Sequence, residues 1–140
     1  SERSEEEGIK ELYDWLEKKD ISIDNLSLQD GSGLAPQNRI TALALAQVVK
    51  HGLSIPGFRE SLPRGKTSGS ARYLFRGMPN GDQIWVKSGY IQNVRTYSGL
   101  AKTSSGKEVT FCFMLNNFSC SQGEARKLLE KLMHDLTNFP

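Results

Sequence analysis

The sequence predicts an α/β fold of the α+β kind, an antiparallel sheet flanked by helices, and three observations predict it. Apolar residues recur at helical spacing in three segments, 4–19, 36–51 and 121–137, and at a spacing of two in three others, 84–88, 94–103 and 109–116. The patterns are grouped as helix, helix, three strands, helix, and consecutive strands joined by short turns pair antiparallel. With 140 residues the chain has the length of one domain, here 1–140. Its 37% hydrophobic and 24% charged residues are those of a folded globular chain and not of a disordered one.

The first helix is announced by Ser4 with Glu7 three places on, a capping box, and by Ile9, Leu12, Tyr13 and Leu16 on one face. Residues 1–20 hold eight acids and four bases, a net of −4 that leaves +6 on the rest of a chain totalling +2. Those acids read as the solvated side of the helix, gathered at its positive end. A short apolar alternation from Ile21 leads to the turn Asp30-Gly31-Ser32-Gly33-Leu34. Asp30 and Ser32 suit hydrogen bonds to that turn's own backbone, fixing entry to the next helix. Pro36 fits the first turn of the second helix, whose apolar circumference from Ile40 to Val49 requires burial. His51 and Gly52 fit its last turn and stop.

Residues 53–82 are rich in Gly, Pro, Ser and Arg and read as a long irregular connection. Within them Gly65-Lys66-Thr67 imitates the end of a phosphate loop, but Glu60 stands where that motif needs glycine and Leu62-Pro63 where it needs a buried strand, so nucleotide binding is not expected. Arg59, Arg64, Lys66, Arg72 and Arg76 interleave with Phe58, Tyr73 and Phe75, a composition found in nucleic-acid binders. A net charge of only +2 argues against that partner and for a solvated loop.

The strands follow. Ser104 to Lys107 supply the turn between the last two, and Val109, Phe111, Phe113 and Leu115 point to one side. Ser121 with Glu124 opens the final helix as a second capping box, followed by Ala125, Leu128, Leu129, Leu132, Met133 and Leu136. Cys112 and Cys120 read as small buried hydrophobes. His51 and His134 lie far from them, so no metal or cofactor is expected. No apolar run approaches the roughly 18 residues of a membrane span.

Lys87-Ser88-Gly89 ends a strand with an ammonium, a hydroxyl and a residue without a side chain along one sheet edge, groups that suit a substrate carboxylate. In order and spacing, LSLQDGSGLAPQNR, then SLPRG, then VKSGYIQNVRTYSGLAKTSSGKEVTFCFMLNN resemble the C-terminal part of bacterial D-alanyl-D-alanine carboxypeptidases, the penicillin-binding proteins of the carboxypeptidase/endopeptidase class, from about Ile21 onward. The resemblance implies a penicillin-binding-protein/β-lactamase-like transpeptidase fold, with peptidoglycan stem peptides and β-lactams as partners and a periplasmic or extracytoplasmic location.

Those enzymes combine Ser-x-x-Lys, Ser-x-Asn and Lys-Thr-Gly elements. By the resemblance Lys87 holds charge near the nucleophile, and Ser88, Gly89 and Tyr90 bind substrate, with Ser88 on its terminal carboxylate. Tyr90 replaces a small threonine, and its bulk is expected at the mouth of the site. Ser-x-Asn is absent, and the one Ser-x-x-Lys, Ser104 to Lys107, lies in the hairpin turn, so the nucleophile is not in this chain. The expectation is therefore a C-terminal segment, inactive by itself, whose 109–116 edge pairs with a missing N-terminal region or a second copy. The other reading is a non-catalytic module that binds peptidoglycan peptides or a protein.

Overall fold

The computed structural model describes residues 4–140, so the first three residues of the one-domain span lie outside the described ones. Helix α1 runs Glu5–Lys18 with Ser4 as its N-cap, and the Ser4–Glu7 capping box is formed in both directions. Its inner residues are Leu16, fully buried, and Trp15, half-buried, which pack with Ile21, Ala44 and Val48. Leu12, placed on the core face by its spacing, is instead largely exposed. Tyr13 ties the helix to the following segment: its hydroxyl donates to Leu26 O (3.3 Å) and accepts from Leu28 N–H (3.2 Å).

Helix α2 is shorter than the predicted 36–51, running Ala42–Gly52 from the N-cap Thr41, whose hydroxyl accepts from Ala44 N–H. Pro36 lies outside it because residues 36–40 have another role. Arg39 exchanges two backbone hydrogen bonds with Ser27 (2.9 and 2.7 Å), and the Asn38 side chain accepts from Gln29 N–H (2.7 Å). Nor is the helix buried all round: Ala44, Val49 and Gly52 are, but Leu43 is 68% exposed. His51 does sit in its last turn, edge-on to Trp15 at 6.3 Å.

The connection 53–82 is more ordered than its composition suggests. It contains a one-turn helix α3 (Phe58–Ser61) and 3₁₀ turns at Gly69–Tyr73 and Gly81–Gln83, and it places Ala71, Leu74 and Phe75 in the main core. The sheet consists of β1 (Ile84–Ile91), β2 (Val94–Lys102) and β3 (Glu108–Asn116), in the order β1-β2-β3, all antiparallel. The Ser104–Lys107 turn is present, with Gly106 at φ 84° and Thr103 N–H bonded to Lys107 O (2.8 Å).

Register sorts the side chains by face. Ile84 and Val86 share one face with Tyr97, Ala101 and Phe111, and this face packs on Leu129 and Met133 of the last helix, α4 (Gln122–Asp135). The opposite face carries Lys87, Ser98 and Cys112 as one cross-strand row, and α2 lies on this side against β2 and β3. The layers are thus α4, sheet, α2 and, outermost, α1. The α4 capping box Ser121–Glu124 is formed as expected, and a last 3₁₀ turn spans Leu136–Asn138. Among the described residues no helix is long and apolar enough to cross a membrane.

Candidate functional site

The parity of β1 decides what its outer edge offers. Val86 N–H donates to Pro63 O (2.8 Å) and Ile84 O accepts from Gly65 N–H (2.8 Å), so even-numbered residues turn their backbone groups away from β2. The SLPRG segment, 61–65, thereby covers the first half of the edge and stops at Val86. Beyond it the backbone groups of Ser88 and Tyr90 face outward without a neighbouring strand among the described residues.

Several contacts hold that arrangement. Arg59 and Arg64 stack over the Trp85 ring, 5.5 and 5.2 Å from its centre, and Arg64 Nε donates to Asp82 O (2.6 Å). Arg59 also pairs with Glu108 at 2.6 Å. Gly65 admits no side chain, since a Cβ there would strike Gly81 O and the Phe75 ring.

Lys87 is exposed, and its Nζ donates to the outward carbonyl of Ser88 at 2.8 Å, placing the ammonium on the open half of the edge. Ser88, half-buried, falls on the other face, in the row of Tyr97 and Phe113. The ammonium and the hydroxyl therefore project from opposite faces and meet at the edge. Gly89 lies on the Lys87 face, where a Cβ would meet nothing closer than Thr96 Cβ at 3.6 Å. The chain itself does not demand glycine there. Tyr90 is 58% exposed but, being on the α4 face, does not stand over Lys87; the Arg95 guanidinium packs 5.6 Å from its ring centre. Tyr90 instead shares its face with Ser88, by the strand's two-residue period.

Asp30, Gly31, Ser32 and Gly33 form a self-contained turn. Asp30 accepts from Ser32 Oγ (2.6 Å), Gly33 N–H (3.1 Å), Ala35 N–H (3.3 Å) and Asn38 Nδ2 (2.7 Å). The Ser32 and Asn38 hydrogen bonds hold its carboxyl below the usual value of 3.8. Gly33 takes φ 76°, which the turn requires. Ser104 Oγ donates to Phe139 O (2.8 Å) from the hairpin turn and is far from any helix start.

Two contributors escaped the sequence reading. Ser98, buried opposite Lys87, donates to Phe111 O (3.2 Å), and Trp85 anchors the SLPRG segment through the two arginines. Only the hairpin register, set by the Gln92-Asn93 turn with Asn93 at φ 57°, brings Ser98 beside Lys87. Cys112 continues the row; burial pushes its thiol up to about 11, against a smaller opposing effect of the Ser98 hydroxyl. Cys120 is exposed, not buried as expected, because it lies between the end of β3 and the α4 cap.

Residues 1–138 match the family described as D-Ala-D-Ala carboxypeptidase 3 (S13). The chain belongs to the S13 family. Carboxypeptidase DacB of Mycolicibacterium smegmatis is 31% identical over 124 residues, covering 82% of this chain and 27% of that protein. Penicillin binding protein 4 (dacB) of Haemophilus influenzae superposes with a TM-score of 0.76 at 20% identity, over 89% of this chain and 30% of that one. In its complex with a β-lactam the TM-score is 0.82, over 97% of this chain and 34% of that one. The S13 chain described here thus spans about a third or less of the length of these relatives and has the fold of part of a penicillin-binding protein.

Proposed function

We propose that the chain is the C-terminal segment of a serine-type D-alanyl-D-alanine carboxypeptidase/endopeptidase that acts on peptidoglycan outside the cytoplasmic membrane, and that it supplies the strand binding the substrate's terminal carboxylate. One observation carries this reading: Lys87 Nζ lies 2.8 Å from the outward Ser88 carbonyl, at the open half of an edge whose other half the SLPRG segment covers. An extended peptide adding to this edge finds backbone groups at Ser88 and Tyr90, a cation at Lys87, and at Gly89 no side chain to keep it away. The Ser88 hydroxyl adds a directed hydrogen bond where the edge is open.

Within this reading the nucleophile and its proton-transfer lysine come from outside the 140 residues, and the segment alone turns over no substrate. The outer strand β3 supports an assembled domain. Its even residues Thr110, Cys112 and Met114 turn their backbone groups away from β2, ready for a further strand. The remaining part of the S13 domain is its proposed occupant. Sedimentation of the segment alone would instead reveal a dimer if a second copy takes that edge.

The experiment is an NMR titration of the segment with an N-acylated D-Ala-D-Ala peptide. The expected result is shift changes confined to residues 86–91 and abolished by Lys87→Ala. Changes elsewhere, or changes indifferent to Lys87, would overturn the reading.

A further inference from the structure

On the far side of the sheet from Lys87, α4 and the segment 76–78 enclose a cleft of about 620 Å³, within the range of roughly 300–1,000 Å³ typical of small-molecule sites. Arg76 and Met78 line it from that segment, and Arg126, Lys127, Glu130 and Lys131 line it from α4. The charges do not cancel. Glu130 is buried and fully engaged: one oxygen accepts from Arg126 Nε (2.6 Å), the other from Phe75 N–H (3.2 Å). Lys131 pairs with Asp135 at 2.8 Å. Arg76 and Lys127 form no ion pair among the described residues; Glu124, on whose carboxyl Lys127 exerts a minor pull, is held by Ser121 at the helix cap.

Two of the cations, Arg126 and Arg76, are also held in place. Arg126 is clamped between Glu130 and the Tyr73 carbonyl (3.2 Å). Arg76 and Arg72 stack near the Tyr73 ring, 5.1 and 4.9 Å from its centre, which leaves the in-plane N–H groups of Arg76 unspent. Fixed cations from two walls exceed what one carboxylate, saturated by a single guanidinium, can use. They match the several oxygens and larger charge of a phosphate group. The geometry points to a binding site for a phosphate ester, with the phosphate between Arg76 and the Arg126–Lys127 pair and the esterified group in the rest of the cleft. This site is independent of the reading given to Lys87.

Calorimetric titration of the 140-residue chain with glycerol 1-phosphate, beside glycerate as the carboxylate of similar size, tests it. The expected result is saturable binding of the phosphate ester that weakens with added salt, with glycerate much weaker. The double substitution Arg76→Ala, Lys127→Ala should reduce affinity about tenfold or more with only a small change in Tm, since both side chains are exposed and neither is ion-paired. Arg126→Ala is unsuitable because it would strand the buried Glu130. Co-sedimentation with phosphatidylglycerol but not phosphatidylcholine vesicles, lost in the same double variant, would place the phosphate on a lipid headgroup; titration without co-sedimentation would place it on a soluble ester. Equal binding of glycerate, or affinity unchanged in the double variant, would overturn the proposal, as would the absence of both kinds of binding.

Discussion

Gly99 shows how one residue sets the site's geometry. It lies in β2 opposite Val86, and a Cβ there would collide with the Trp85 carbonyl, so β1 can approach β2 as it does only while position 99 lacks a side chain. Gly99→Ala should cost about 2 kcal/mol or more, read as a fall in Tm, because the clash is with backbone that cannot rotate away. Gly89→Ala, which meets only ordinary contact, should leave Tm nearly unchanged while weakening peptide binding at the edge. The two cysteines differ in the same local way. With the Cys112 thiol raised to about 11 by burial, iodoacetamide near neutral pH should label exposed Cys120 well before Cys112, as peptide mass spectrometry would show. Asp30 and Glu124 have folded values held below their ordinary 3.8 and 4.5, chiefly by the hydroxyls of Ser32 and Ser121. A depressed value favours the folded state when the group is ionised. Their contribution is therefore complete above those ordinary values and is lost as the pH falls through the lower folded ones.

Elements were legible where a local signal closes on itself. The Ser4–Glu7 and Ser121–Glu124 capping boxes fix the starts of α1 and α4 regardless of the rest of the chain, and removing one hydroxyl, as in Ser121→Ala, should cost about 1 kcal/mol in thermal unfolding. The start of α2 was misplaced because Pro36 is a valid first-turn residue. What overrides it is non-local: Arg39 bonds with Ser27, and Asn38 bonds with Gln29 and Asp30, which leaves Thr41 as the cap. In the same way 53–82 carries no period, yet Phe75 is fully buried at φ 61°, a position stabilised by the Glu130 carboxylate 55 residues away. At the site, Lys87, Ser88 and Gly89 were visible as a motif. That Lys87 and Ser88 point to opposite faces follows from the strand's period, but the open half-edge requires the pairing of Pro63 and Gly65 with β1, which no spacing reveals.

At the scale of the whole molecule, the sheet separates two chemistries. One face, on which α2 packs against β2 and β3, and the outer edge hold Lys87; the other face holds the cationic cleft along α4. The half-covered α2 and the outward backbone groups of β3 support the proposed completion of this unit by further residues, and the chain spans 27% of the curated relative's length. Thr110→Pro tests that view of β3. Residue 110 turns its N–H outward, so proline should spare the segment's own sheet while blocking any strand that adds there, read as lost association in sedimentation.

Lys87 is proposed to serve the carboxylate-binding edge of a penicillin-sensitive peptidase, and that role is open to measurement. Its most direct test is the rate at which labelled penicillin acylates the intact protein carrying these residues, measured beside its Lys87→Ala form. The rate should fall about a hundredfold or more, with folding and Tm preserved, because a positive charge at the reacting edge is lost. An unchanged rate would contradict it.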